Sequence, residues 1–137
     1  MITLPEELNK NLHEIKQKSP VELAFIGDAV YELMVREYIS LHHDAPPGRL
    51  HTMCVEYVRA DAQVKAFEKI QQYLTEEELD FVRRGRNANK VTSSKNAEPA
   101  AYRIATGIET RCGYLYLLGN NDRIRELFNM IFGEQEA

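Results

Sequence analysis

Cysteine, long apolar runs and an excess of positive charge are what this chain has least of. Its two cysteines, Cys54 and Cys112, show no metal-ligand spacing, which argues against a cysteine-built metal site and for buried thiols over a disulfide. No apolar stretch approaches the ~20 residues of a membrane span. Met1 to Gln17 alternates acids and bases without a secretory apolar core, so the expected location is the cytoplasm. There is no internal repeat, no long polar tract and no convincing strand pattern. Net charge is −4, so any grip on a polyanion has to come from a local cluster of basic residues. What is present, 137 residues of which 44% are hydrophobic, suffices for one domain over 1–137 with a real core.

The periodicity is helical throughout. Residues 5–17 read as a short amphipathic helix with Leu8, Leu12 and Ile15 on one side. Ser19-Pro20-Val21-Glu22 is a capping box with proline in the first turn, opening a central helix from about Pro20 to His42. That helix is apolar almost all round, as a helix packed on several sides should be. Asp28 interrupts it. At about 100° per residue it projects near Val21, Ala24, Val35 and Ile39, where a carboxylate is costly unless paired, and a metal ion is one such partner. Read blandly, Asp28, Glu32 and Arg36 form a solvated seam at successive turns.

His42-His43-Asp44 precedes the break Ala45-Pro46-Pro47-Gly48 and invites a His-Asp phosphohydrolase reading. Adjacent histidines on a helix diverge, and cations suit a helix C-terminus, so the structural role is preferred. Residues 49–73 read as continuous helix, with His51, Glu56 and Asp61 on a solvated face. Thr75-Glu76-Glu77-Glu78 is a second capping box, starting a short helix through Val82.

Arg83 to Asn96 holds five cations and no acid and is rich in glycine, asparagine and serine. It reads as a mobile loop able to hold phosphates, with Arg83, Arg84, Arg86, Asn87, Lys90 and Lys95 as the candidate contacts. Residues 98–118 form a second important helix ending at Gly119. On it Glu109 shares a face with Tyr102, Ala105, Gly113 and Tyr116, and the small residues among them let another helix come close. An amphipathic helix over 121–133 closes the domain. The expected fold is therefore all-α, a bundle of six helices, with an acid on each of its two most apolar members.

The order of residues adds a resemblance. Leu23-Ala24-Phe25-Ile26-Gly27-Asp28-Ala29-Val30 resembles the ribonuclease III signature, and Tyr31-Glu32-Leu33 continues it as in the short Mini-III branch. Tyr102-Arg103, Thr106-Gly107-Ile108-Glu109 and Gly113-Tyr114-Leu115-Tyr116-Leu117 resemble the second block of that catalytic domain. Arg84-Gly85-Arg86-Asn87-Ala88 with Lys95-Asn96 is similar to the Mini-III segment between the blocks, and the lack of a double-stranded-RNA-binding domain agrees with that branch.

The resemblance implies a ribonuclease III-like helical bundle and a Mg²⁺-dependent endoribonuclease cutting double-stranded RNA to 5′-phosphate and 3′-hydroxyl ends. It further implies a homodimer, one site per strand, and a 23S ribosomal RNA precursor as substrate. Asp28 and Glu109 would be the catalytic, metal-holding residues. The larger family has two further carboxylates, where this chain has Ala24 and Thr106; Glu98, Glu32 and Asp122 are candidates for an outer shell. Ala24 and Thr106 also keep open a rival reading, a catalytically silent RNA-binding or dimerisation module of the same fold.

Overall fold

The computed structural model describes residues 12–88 and 99–133. These form seven α-helices and one 3₁₀ turn: α1 (Leu12–Lys16), α2 (Pro20–His42), α3 (Pro47–Val58), α4 (Ala60–Ile70), the turn Gln71–Tyr73, α5 (Glu76–Ala88), α6 (Pro99–Leu117) and α7 (Asn121–Phe132). No strand occurs among the described residues, so the all-α expectation holds. Of the helix expected over 5–17, residues 12–17 lie within them; Leu12–Lys16 is helical and buries Ile15, and Leu8 lies outside. No described helix is long and apolar enough to cross a membrane.

The axis of the domain is α2. Its capping box is in place: the Ser19 Oγ accepts from the Glu22 N–H at 3.1 Å, and the Glu22 Oε1 accepts from the Ser19 N–H at 3.1 Å. From there Leu23, Val30, Tyr31, Met34, Val35 and Ile39 go into the core. Each such side chain, once buried, contributes roughly 1.5–3 kcal/mol. At the far end the His42 ring bonds the Tyr38 carbonyl through Nδ1 at 2.8 Å and lies against the Tyr38 ring. His42 is thus occupied within its own helix, as the structural reading of His-His-Asp requires, and His43 and Asp44 are exposed.

The helix expected over 49–73 breaks at Arg59, whose extended backbone (φ −70°, ψ 159°) separates α3 from α4. No glycine or proline marks the break. It is stabilised from the side chains instead. Asp61 accepts from the Ala62 N–H at 2.9 Å and from Arg59 Nε at 3.0 Å, and Gln63 donates to the Val58 carbonyl that the helix end leaves free, at 2.8 Å.

The second capping box is also in place, with Glu78 N–H to Thr75 Oγ1 at 3.0 Å and Thr75 N–H to Glu78 Oε1 at 2.9 Å. Glu78 is buried, and Arg123 of α7 donates to its two oxygens at 2.7 and 2.8 Å. The helix itself corrects the sequence reading: α5 runs on to Ala88, so Arg83, Arg84, Arg86 and Asn87 are helical and not in a loop. Packing against α6 carries it past its polar sequence. Phe81 stacks on Tyr114 at 3.8 Å between ring centres, and Gly85 lies against Gly107 and Thr110. Helix α6 ends as expected at Gly119, whose φ of 79° suits a left-handed cap, with Asn120 N–H closing onto the Leu115 carbonyl at 2.9 Å. Cys54 and Cys112 are buried free thiols.

Candidate active site

Two acids from distant parts of the sequence meet because α2 and α6 cross without side chains between them. A Cβ placed on Gly27 would fall 2.6 Å from the Glu109 carbonyl carbon and 2.8 Å from the Gly113 nitrogen. A Cβ on Gly113 would fall 2.8 Å from the Leu23 carbonyl carbon. Only hydrogen fits at either position, so the two backbones touch there. Asp28 follows Gly27 directly, and Glu109 stands one turn before Gly113 on the same face of its helix.

The two carboxyl groups differ in environment. Asp28 is exposed, on the wall of an open groove of about 620 Å³ whose lining includes Phe25, Ala29, Glu32 and Leu33. It is therefore not the desolvated acid that the apolar pattern of α2 suggested; Glu109 is. Burial, then the neighbouring Asp28 charge, push the Glu109 carboxyl up to about 7, and a hydrogen bond shared with Asp28 favours its protonated form. Opposing these is a hydrogen bond from Gln63, whose Nε2 donates to Glu109 Oε2 at 3.3 Å.

Gln63 was not among the residues singled out from sequence. It comes from α4, which carries neither motif, and is 2% exposed. Its only sequence signal is an amide inside the apolar stripe Ala60, Val64, Phe67, Ile70. Its Oε1 is buried with no hydrogen-bond partner.

The other sequence candidates are placed as follows. Ala24 is buried and has no polar side-chain atom, and Thr106 donates its hydroxyl to the Tyr102 carbonyl at 3.0 Å. Glu32 lines the same groove but is held by Arg36 Nε and Nη2 at 3.0 and 2.8 Å. Asp122 is exposed in the first turn of α7, and Glu98 lies outside the described residues. Among the described residues no cluster of three His, Cys, Asp or Glu side chains exists. The donors on hand are the two carboxyl groups of Asp28 and Glu109. Both are hard oxygen ligands, and they fit a small divalent cation such as Mg²⁺ that keeps most of its water.

Of the basic residues, Arg83 pairs with Asp80, while Arg84 lies over the Phe81 ring, 4.7 Å from its centre, and reaches the Lys16 carbonyl at 3.4 Å. Arg86 and Asn87 belong to the last turn of α5, where Asn87 is exposed. Lys90 and Lys95 lie outside the described residues. Because Gly85 packs on Gly107, two residues before Glu109, this basic turn is anchored to the helix that carries the acid.

The chain is similar to known proteins over most of its length. The family model described as the ribonuclease III domain matches residues 21–120. The chain is 45% identical over 134 residues to the Mini-ribonuclease 3 of Clostridium tetani, covering 97% of this chain and 87% of that protein. It is 39% identical to that of Staphylococcus aureus over 125 residues, covering 90% and 93% respectively. A crystal structure of a Fusobacterium nucleatum protein superposes with a TM-score of 0.78 at 30% identity, covering 89% of this chain and 98% of that one.

Proposed function

The chain belongs to the ribonuclease III family of endoribonucleases, in its short Mini-ribonuclease 3 branch, and from that premise we propose that it hydrolyses double-stranded RNA at the Asp28–Glu109 pair. The observation that carries this is the side-chain-free crossing of α2 and α6, which sets Glu109 beside Asp28, a residue lining an open groove. Keeping like charges adjacent disfavours the empty site, and a cation relieves it. Asp28 and Glu109 would hold Mg²⁺, which would supply an activated water and offset charge on the phosphate. Asp28, being exposed, is the acid the substrate approaches.

A duplex needs two cuts, and α2 offers a surface for a second copy of the chain. Val21, Phe25, Ala29 and Leu33 repeat at every fourth residue as one ridge, and Phe25 is 82% exposed, Val21 58% and Leu33 42%. An apolar ridge of that kind in contact with water marks an interaction surface. A homodimer about a two-fold axis covers it and pairs the two sites, one for each strand.

Arg83, Arg84, Arg86 and Asn87 at the end of α5, with Lys90 and Lys95 beyond them, hold phosphates of the duplex without reading bases. The natural substrate in this reading is a 23S ribosomal RNA precursor in the cytoplasm, and 1–137 acts as one catalytic domain. The test is incubation with end-labelled duplex RNA and with a 23S precursor, in Mg²⁺ or EDTA. Cleavage to 5′-phosphate ends in Mg²⁺ alone is expected. Cleavage in EDTA, or of single strands only, would overturn the proposal.

A further inference from the structure

Building on the cation site read from Asp28 and Glu109, we propose that Gln63 is a positioning residue of that site, holding the Glu109 carboxylate in the orientation that receives the ion. Gln63 has two amide hydrogens and both are used. One goes to the Val58 carbonyl at 2.8 Å and the other to Glu109 Oε2 at 3.3 Å. The Val58 carbonyl can only accept, which fixes the amide with its nitrogen towards it. The side chain is 2% exposed, so it has no room to swing. It therefore links the break between α3 and α4 to one oxygen of Glu109 and leaves the remaining acceptor capacity of that carboxylate to the site.

The need for such a hold follows from what the chain lacks. Ala24 has no polar side-chain atom and Thr106 spends its one donor on the Tyr102 carbonyl, whereas Gln63, from a third helix, donates to Glu109. The cost is visible too. Its Oε1 is buried without a partner, a loss of roughly 1–3 kcal/mol that a residue present only for packing has no reason to bear. An apolar side chain of the same length would fill the space at no such cost.

The experiment measures Mn²⁺ affinity of the full chain, without RNA, by the free-ion signal in electron paramagnetic resonance. Gln63→Met keeps the volume and removes both hydrogen bonds. The Mn²⁺ dissociation constant should rise about 10–100-fold, the range for outer partners of a metal ligand, and raised Mn²⁺ should restore part of the lost turnover. A role confined to capping α3 would lower thermal stability and leave Mn²⁺ affinity at the parent value, which overturns the proposal. A second readout needs no variant of Gln63. In the unmodified protein its side-chain amide resonances should move as Mg²⁺ is titrated in, and should not move in Glu109→Gln; unmoved resonances in the parent count against it. If the parent itself binds no Mn²⁺, or Glu109→Gln binds it equally well, the cation site fails and Gln63 with it. If those controls hold and Gln63→Met binds like the parent, only the role of Gln63 falls.

Discussion

Replacing Gly27 by alanine drives a methyl group into the backbone of α6. The new carbon would lie 2.6 Å from the Glu109 carbonyl carbon and 2.8 Å from the Gly113 nitrogen, where ordinary contact begins at 3.4 Å. Neither neighbour is a side chain that can rotate away, and the Glu109 carbonyl oxygen is nearer still, so the helices have to part by more than about an ångström along the seam that buries Leu23, Val30 and Ile108. Overpacking of this kind costs roughly 1–3 kcal/mol, and the rigid backbone puts Gly27→Ala at the upper end or beyond. Alanine's better helix propensity returns at most about 1 kcal/mol. A net loss of about 2 kcal/mol lowers the melting temperature by roughly 6–10 °C in a domain of this size. The effect on turnover is larger, because a misplacement of about 1 Å between reacting groups costs on the order of 100-fold. Calorimetry and cleavage of a duplex RNA measure the two effects. Gly48→Ala is the control: a Cβ there meets nothing within 4 Å, so roughly 0.4–1 kcal/mol of added stability and unchanged cleavage are expected. A Gly27→Ala protein that is destabilised yet fully active would refute the claim that this crossing sets the carboxylate geometry.

Phe25→Asp places a charge at the centre of the exposed α2 ridge and should give a monomer by light scattering, with paired-strand cleavage lost and helix content retained; a dimer of parent mass would move the interface elsewhere. Burial alone would raise the pKa of Glu78, but the Arg123 guanidinium and the Thr75 N–H outweigh it and hold the carboxyl below its usual range. The stability from that ion pair is thus present above the unfolded-state value near ~4.3 and is lost as pH falls through the lower folded value. Glu78→Gln, which leaves Arg123 short of a buried partner, should cost roughly 3 kcal/mol at neutral pH and flatten the acid limb of the stability curve; an unchanged limb would put its origin in other carboxylates. Arg83→Ala with Arg86→Ala should weaken binding of all duplex sequences alike and reduce the salt slope by roughly 0.7–0.9 for each phosphate no longer neutralised, whereas an unchanged slope would free α5 of any role in holding RNA.

The helices on which the site rests were legible because their signals are local. Ser19 with Glu22 and Thr75 with Glu78 announce two starts, Gly119 an end, and the apolar runs between them the core. Asp28 and Glu109 were legible as a pair from the order of residues around each. What escaped depends on packing between elements. The break at Arg59 is made by side chains of Asp61 and Gln63 and carries no glycine or proline. The extension of α5 to Ala88 follows from Phe81 stacking on Tyr114, a partner 33 positions on. The environments of the acids differ from expectation for the same reason: a helix that is apolar all round can still turn one side to water, so Asp28 is exposed and Glu109 is the half-buried, desolvated acid. Arg111, which no sequence signal singled out, is 4% exposed, with burial lowering its pKa and its Nε left unpaired.

The central claim is that Asp28 and Glu109 act as one cation-dependent site, and cleavage by Asp28→Asn and Glu109→Gln tests it most directly. Both substitutions keep shape and helix packing while removing a charge. Measured on an end-labelled RNA duplex at saturating Mg²⁺, each should lose more than the roughly 10–100-fold that outer partners of a metal contribute, with duplex affinity and melting temperature retained. Either variant cleaving at the parent rate would contradict the account.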